Sequence, residues 1–164
     1  MDLFEREIVD LLPRLRRFAR ALAGNMADAD DLVQLTVERA LTRRSQWMAG
    51  SRLDSWMMRI MKNAWIDEAR SRGRKRLVAG PDDMADRLAD PSVASAHMRI
   101  EAIAIRQAIA RLPDEQRLAV ALVLVEGLSY AEAAEVLEIP AGTLTSRLVR
   151  GRMALMADLG GMEA

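Results

Sequence analysis

The stretch GLSYAEAAEVLEIPAGTLTSRLVRGR, residues 127–152, carries two short helical patterns separated by a turn. The second pattern, residues 143–156, is basic at its start: residues 142–152 hold three arginines and no acid. A short helix, a tight turn and a basic second helix are typical of a helix-turn-helix, whose second helix enters the DNA major groove. An ordinary helical hairpin with a solvated basic face is the alternative. The side chains predicted to face inward are Ala133, Ala134, Leu137, Leu144, Leu148 and Leu155.

Composition around this stretch favours helix throughout. The chain has 164 residues, 51% hydrophobic but only 4% aromatic, and alanine, leucine, arginine, methionine and glutamate dominate. No alternating apolar and polar run is long enough to predict a strand. The fold class is therefore predicted to be all-α.

The same composition bounds the function. The chain has no cysteine, which excludes disulfides and thiolate metal sites and fits a reducing compartment. It starts with an acidic segment and has no apolar run near the ~18 residues of a membrane span, so we expect a cytoplasmic protein without membrane insertion. No nucleophile–base pair, metal-ligand spacing or phosphate-binding glycine loop appears, which argues against an enzyme and against a cofactor.

Charge divides the chain into three parts. Lys+Arg and Asp+Glu both total 24, so only their distribution is informative. Residues 70–76, RSRGRKR, are basic, whereas residues 80–92, GPDDMADRLADPS, hold two prolines and four aspartates against one arginine. This pattern predicts a flexible acidic linker at 77–95 between two small helical domains, 1–76 and 96–164.

Helical spacing in the first domain puts polar and apolar side chains on opposite faces of residues 52–64. A basic face carrying one amide suits a single strand of DNA, whose backbone is anionic and whose base edges need a donor and an acceptor. A solvated helix face is the alternative. Upstream, Gly24 and Asn25 are predicted to break the helix, and Asp28 or Asp30 to cap the next one. The polar face consists of Arg52, Ser55, Arg59, Lys62 and Asn63.

Both domains resemble parts of one protein family. LPDEQR together with VEGLSYAEAAEVLEIPAGTLTSRLVRGR closely resembles region 4 of extracytoplasmic-function (ECF) sigma factors, the small specificity subunits of bacterial RNA polymerase. PRLRRFARALAGNMADADDLVQLTVERAL resembles regions 2.1 and 2.2, and WMMRIMKNAWIDEARSRGRKR resembles the following helix of region 2. The motifs stand in the expected order and cover residues 13–156.

The resemblance implies a non-enzymatic subunit made of a region 2 bundle and a region 4 helix-turn-helix. Such a protein binds core RNA polymerase through the β′ coiled coil and the β flap, recognises the −10 and −35 elements of promoter DNA, promotes initiation, and is held inactive by an anti-sigma factor. The resemblance implies no cofactor. Two other functions are a duplex-binding regulator that uses only the helix-turn-helix, and a decoy that binds an anti-sigma factor.

The resemblance also assigns residues. The predicted polymerase-docking residues are Asp30, Asp31, Leu32, Val33 and Gln34. The predicted −10 contacts are Trp47, Arg59, Lys62, Asn63, Arg70 and Arg72. The predicted −35 contacts are Thr145, Ser146, Arg147, Val149 and Arg150. From the residues alone, Asp30 and Asp31 are more typical of helix capping than of docking, and Trp47 either contacts an unstacked base or packs on the core.

Three positions depart from the family pattern. Leu35 replaces a usual acid, and as an exposed leucine it either adds apolar contact or binds another partner. Thr145 replaces a usual arginine, which points to a different promoter preference. Glu138 replaces a common turn glycine, at a cost of ~1 kcal/mol if the backbone there has a positive φ.

Overall fold

The structure, a computed structural model, describes residues 1–75 and 96–160, with side chains up to residue 71 in the first range. These residues form helices without any strand, so the all-α prediction is confirmed for the described chain. None of these helices is long and apolar enough to cross a bilayer. The acidic linker predicted at 77–95 lies outside the described residues. The helices are α1 (Leu3–Ala23), α2 (Met26–Thr42), α3 (Leu53–Lys75), α4 (Ala96–Ala110), α5 (Asp114–Val120), α6 (Tyr130–Leu137) and α7 (Ala141–Gly160), with a 3₁₀ turn at Arg44–Gln46 and a π turn at Ala121–Val125.

The first three helices bury one face each to form a small bundle. Apolar side chains recur every three or four residues along α1, from Phe4 and Ile8 to Leu15, Phe18 and Leu22. They pack against Leu32 of α2 and a methionine-rich face of α3. This bundle holds the predicted docking residues on α2 and the predicted −10 residues on α3, except for Trp47, which lies between the two helices.

The junction of α1 and α2 follows from two residues at the predicted break. Gly24 ends α1 in the left-handed region, with φ of 81°, a conformation that suits glycine. Asn25 then caps α2, because its side chain accepts a hydrogen bond of 2.9 Å from the Asp28 N–H. The prediction that Asp28 or Asp30 caps this helix was wrong, since the chain re-enters a helix directly after Gly24.

The last four helices form the second half around α5 and the π turn. Leu122 and the residues Ala119 to Ala121 are fully buried, as the apolar run in the sequence predicts. Helix α7 crosses this segment at Gly151, where an added Cβ would lie only 2.8 Å from Val120 Cγ2. Glycine at this position therefore sets how closely the second helix of the helix-turn-helix approaches its support.

The two halves are in direct contact and share one core. Their buried apolar side chains form a single cluster. At the seam, an added Cβ on Gly24 would lie 3.2 Å from Ala110 Cβ. Arg117 of α5 donates to the carbonyl oxygens of Leu22 (2.8 Å), Ala110 (2.5 Å) and Leu112 (3.0 Å). One guanidinium thus satisfies carbonyls at the C-terminal ends of both α1 and α4.

Candidate nucleic-acid interface

Helix α7 presents a polar face to solvent, as predicted. Its apolar stripe is buried at Leu144, Leu148 and Leu155, which orients the helix. Arg147 differs from the other predicted −35 contacts, because it is partly buried and lies 3.6 Å from Glu115 of α5. The predicted contacts that are exposed are Thr145, Ser146, Val149 and Arg150.

Helix α6 is capped at both of its ends. At the start, Ser129 and Glu132 form a capping box, with the Glu132 N–H donating to Ser129 Oγ at 3.1 Å. At the end, the N–H groups of Glu138 and Ile139 donate to the carbonyls of Glu135 and Ala134, both at 3.1 Å, which is a Schellman motif.

Glu138 occupies the left-handed position of this motif, with φ of 57° and ψ of 43°. Within the described residues it is the one non-glycine residue with positive φ. The turn therefore carries the strain expected from the sequence, ~1 kcal/mol relative to glycine.

The predicted docking residues on α2 divide into a buried pair and an exposed trio. Leu32 and Val33 face the core, whereas Asp30, Asp31 and Gln34 are exposed near the helix start. Asp30 and Gln34 line one wall of a groove of about 620 Å³ between α1 and α2. The expectation of an exposed Leu35 was wrong, because this side chain is partly buried against the core. The groove carries both charges, because Arg16 and Arg20 of α1 line it together with Asp30 and Glu38 of α2.

The polar face of α3 is covered by α6. The side chain of Lys62 is only 6% exposed, and its Nζ lies 3.6 Å from a Glu138 carboxylate oxygen. Arg59 donates to the Glu135 carbonyl oxygen at 3.1 Å, and Arg52 is paired with Glu132. Asn63 is partly buried and Arg70 is exposed, while the Arg72 side chain lies outside the described residues.

One groove brings together residues from both predicted DNA-binding sets. It has a volume of about 370 Å³ and lies between α3 and the helix-turn-helix. Lys62 and Arg70 of the −10 set line it together with Arg147 of the −35 set. In this arrangement Lys62 is buried and Arg147 is partly buried, whereas Arg70 is exposed.

Trp47 lies on the core rather than free in the loop before α3. Its ring centroid is 5.3 Å from that of Phe4, and the ring is partly buried. Its indole N–H is buried, and no residue in the described part of the chain accepts a hydrogen bond from it. Trp65, which sequence patterns left unassigned, is buried with the Arg117 guanidinium 5.4 Å above its ring. This cation–π contact joins the two halves.

A second polar cluster crosses the seam and was missed from the sequence. Glu126 follows the π turn, and its side chain is fully buried. Arg17 of α1 donates to both carboxylate oxygens, at 2.7 and 3.2 Å, and Arg14 lies 3.5 Å away. An acid at the end of a buried apolar run needs a cation beside it. The two arginines three residues apart on one side of α1 were the signal for that cation in the sequence.

The electrostatics of this cluster favour the charged forms. The hydrogen bond to Glu126 raises the pKa of Arg17 above its ordinary value. Burial by itself raises the pKa of Asp54, but hydrogen bonds from Arg52, the Ser55 N–H and Arg14 outweigh it, and the net pKa is lowered. Arg14 links the two acids, because it lies 3.0 Å from Asp54. The ions therefore form a connected network that joins the two halves.

Comparison with known proteins identifies the family. The family model described as the Sigma2 domain of PhyR matches residues 8–62, and the model for sigma-70 region 4 matches residues 102–155. The ECF RNA polymerase sigma factor EcfG of Rhodopseudomonas palustris is 36% identical over 158 residues, covering 96% of this chain and 86% of that protein. The chain belongs to the ECF sigma factors. The resemblance inferred from its motifs is thereby confirmed.

Solved structures place this ECF sigma factor in the same fold. The sigma factor RpoE of Bartonella quintana, in complex with the anti-sigma factor NepR, has a TM-score of 0.81 and 30% identity, with 96% of each chain covered. The anti-anti-sigma factor PhyR of the same organism, also bound to NepR, has a TM-score of 0.63 at 18% identity and shares the fold. Regions 2 and 4 thus correspond to the two halves described above.

Proposed function

We propose that this protein directs core RNA polymerase to a bipartite promoter as an alternative sigma factor in the cytoplasm, under the control of an anti-sigma factor. The observation that carries the proposal is the presence, in one chain, of two exposed acids, Asp30 and Asp31, with Gln34 on α2 and an exposed polar recognition face on α7. A duplex-binding regulator would need only the second of these surfaces.

The surface on α2 is proposed to dock on the β′ coiled coil. Asp30 and Asp31 stand near a helix start and are exposed, and among the described residues they form no ion pair that a basic partner would first have to break. The groove beside Asp30 runs between α1 and α2, and its lining includes Leu12 and Val33 as well as the charged Arg16, Arg20 and Glu38. A partner helix can fill such a groove while its cations meet the acids.

The DNA contacts are proposed to divide between two helices. Ser146 and Arg150 of α7 reach base edges and phosphates of the −35 duplex, with Thr145, Arg147 and Val149 beside them. The β flap holds region 4 at that position. On α3, Arg59, Lys62 and Arg70 bind the backbone of the −10 strand and Asn63 binds an extruded base. Trp47 and Arg72 complete the proposed −10 set.

The control by an anti-sigma factor rests on the relative of known structure. RpoE of Bartonella quintana matches this chain over 96% of its length and was solved with NepR. We infer that a protein of the NepR kind binds this sigma factor too.

In vitro transcription on a promoter library tests the proposal. Start sites that appear only when the protein is added to core polymerase support it, and their absence with active core polymerase would overturn it. Arg150→Ala is expected to lower initiation roughly ten- to hundredfold, because a lost base or phosphate contact costs ~1–3 kcal/mol. Arg6→Ala removes the same charge from an exposed position on α1 and serves as the matched control.

One observation favours a second function, that of an anti-sigma decoy. The family model that matches residues 8–62 describes the Sigma2 domain of PhyR, and PhyR of Bartonella quintana is an anti-anti-sigma factor. A decoy would relieve inhibition of another sigma factor by its anti-sigma factor and yield no start sites of its own. The transcription assay with and without a second sigma factor separates the two functions.

A further inference from the structure

We propose that α6 and the turn that follows it lock the free protein by occupying Arg59 and Lys62, two cations of α3 that the proposed function assigns to the −10 strand. The lock is a ladder of three contacts. Arg52 pairs with Glu132, Arg59 donates to the Glu135 carbonyl at 3.1 Å, and Lys62 lies 3.6 Å from Glu138. The inference rests on the proposed function only for the identity of the competing ligand.

The ladder has a regular register. Glu132, Glu135 and Glu138 are spaced by three residues, and their partners Arg52, Arg59 and Lys62 follow in the same order along the chain. Residues three apart lie on one side of a helix, so Glu132 and Glu135 share one side of α6, and Glu138 follows in the turn after it. Two of the three contacts place a carboxylate against a cation, as a DNA strand would place a phosphate.

The contact between Lys62 and Glu138 is decisive because the Lys62 side chain is buried. The Lys62 side chain is 6% exposed in the closed arrangement, and its ammonium faces the Glu138 carboxylate. A buried ammonium is stable only beside an anion. Glu138 therefore permits the halves to close over Lys62, and the same closure removes Lys62 from a DNA strand.

The backbone at Glu138 points to the same role. Its left-handed φ of 57° is a conformation in which glycine avoids strain. A glutamate at this position is strained, but its carboxylate is directed at α3. The Glu138 Oε1 atom lies 4.0 Å from Arg59 Nε. Strain at a turn that carries a contact between two halves is a feature of switches.

The experiment compares two variants with the same change of charge on one helix. Glu138→Gln removes the carboxylate that faces Lys62, whereas Glu135→Gln changes an exposed side chain that offers α3 only its backbone carbonyl. Binding of a short mixed-sequence single-stranded DNA to the full chain, without polymerase, is measured by filter binding at low salt. We expect Glu138→Gln to bind about five- to tenfold more tightly than Glu135→Gln, the effect of one partly buried ion pair. Equal binding by the two variants would overturn the proposal.

A second measurement follows the separation of the halves directly. Because the chain has no cysteine, spin labels can be placed on cysteines introduced at Leu41 and Ile105, which are both 46% exposed. The distance between the labels should lengthen in Glu138→Gln and stay as in the wild type in Glu135→Gln. Unchanged distances in Glu138→Gln would show that Glu138 does not hold the halves together, which overturns the proposal. This result would leave the −10 assignment untouched. Longer distances without tighter DNA binding overturn the competition and also contradict the −10 assignment of the proposed function.

Discussion

The buried pair of Arg17 and Glu126 predicts an asymmetry that can be measured as free energy of unfolding. The Glu126 side chain is fully buried, whereas the Arg17 side chain is 53% exposed. Glu126→Gln keeps the shape and removes a buried charge, and the freed guanidinium remains in water. The loss of charge-assisted bonds is partly offset by the lower desolvation penalty, so we expect a cost of ~1 kcal/mol.

Arg17→Ala should cost more, although it removes the more exposed partner. It leaves the carboxylate buried with Arg14 at 3.5 Å as its nearest remaining cation. Breaking a buried pair from this side costs ~3–5 kcal/mol when no partner remains, so Arg14 should reduce the cost to ~2–3 kcal/mol. Arg16→Ala, at an exposed neighbouring position, should stay within ~0.5 kcal/mol of the wild type.

Urea unfolding followed by far-ultraviolet circular dichroism measures these costs. We expect one cooperative transition, because both halves share a core. In the double variant Arg17→Ala/Glu126→Gln, the cost should be smaller than the sum of the single costs. A cost of Glu126→Gln equal to or above that of Arg17→Ala would refute the argument from burial.

Three further predictions concern packing, pH and strand opening. Gly151→Ala should destabilise the protein by ~1–3 kcal/mol in thermal melts, because its Cβ would lie 2.8 Å from Val120. Gly142→Ala is the control and should leave the stability unchanged, because its Cβ would have no neighbour within 4 Å. The pKa of Asp54 is lowered in the folded state, so this carboxylate stabilises the fold at any pH above its unfolded pKa. The stabilisation is lost as the pH falls through the folded pKa. The urea midpoints of the wild type and Asp54→Asn should therefore differ at neutral pH and converge below about pH 4. Asn63→Ala should lower permanganate-reactive open complexes on duplex promoters about ten- to hundredfold and be partly rescued on a preformed bubble, and wild-type opening of the duplex would contradict its role.

The local elements of the fold were predictable from the sequence. Periodicity placed the inward faces of α6 and α7, because helical spacing of leucine and alanine requires no knowledge of partners. The glycine that ends α1 was also predictable, but the cap of α2 was not. Asn25 directly follows the break and competes with two later aspartates for the same role, and spacing alone does not rank them.

The contact between the halves was not predictable from the sequence. It depends on residues far apart in the chain, such as Arg17 and Glu126 or Lys62 and Glu138, and each looks like a solvated charge in its own helix. The family motifs pointed to α3 for the −10 face but gave no sign that α6 covers it. Only the three-dimensional register shows that Lys62 is buried.

The position of Trp65 gives the protein an optical marker of its own conformation. The indole is 3% exposed and lies beneath Arg117, which belongs to the other half. Trp47 and Trp56 lie near Phe4, at ring distances of 5.3 and 6.3 Å, and keep these neighbours when the halves part. Separation therefore changes the polarity around one indole of the three. A red shift of its emission reports opening in the unlabelled protein, and a Trp65→Phe variant should lack that shift.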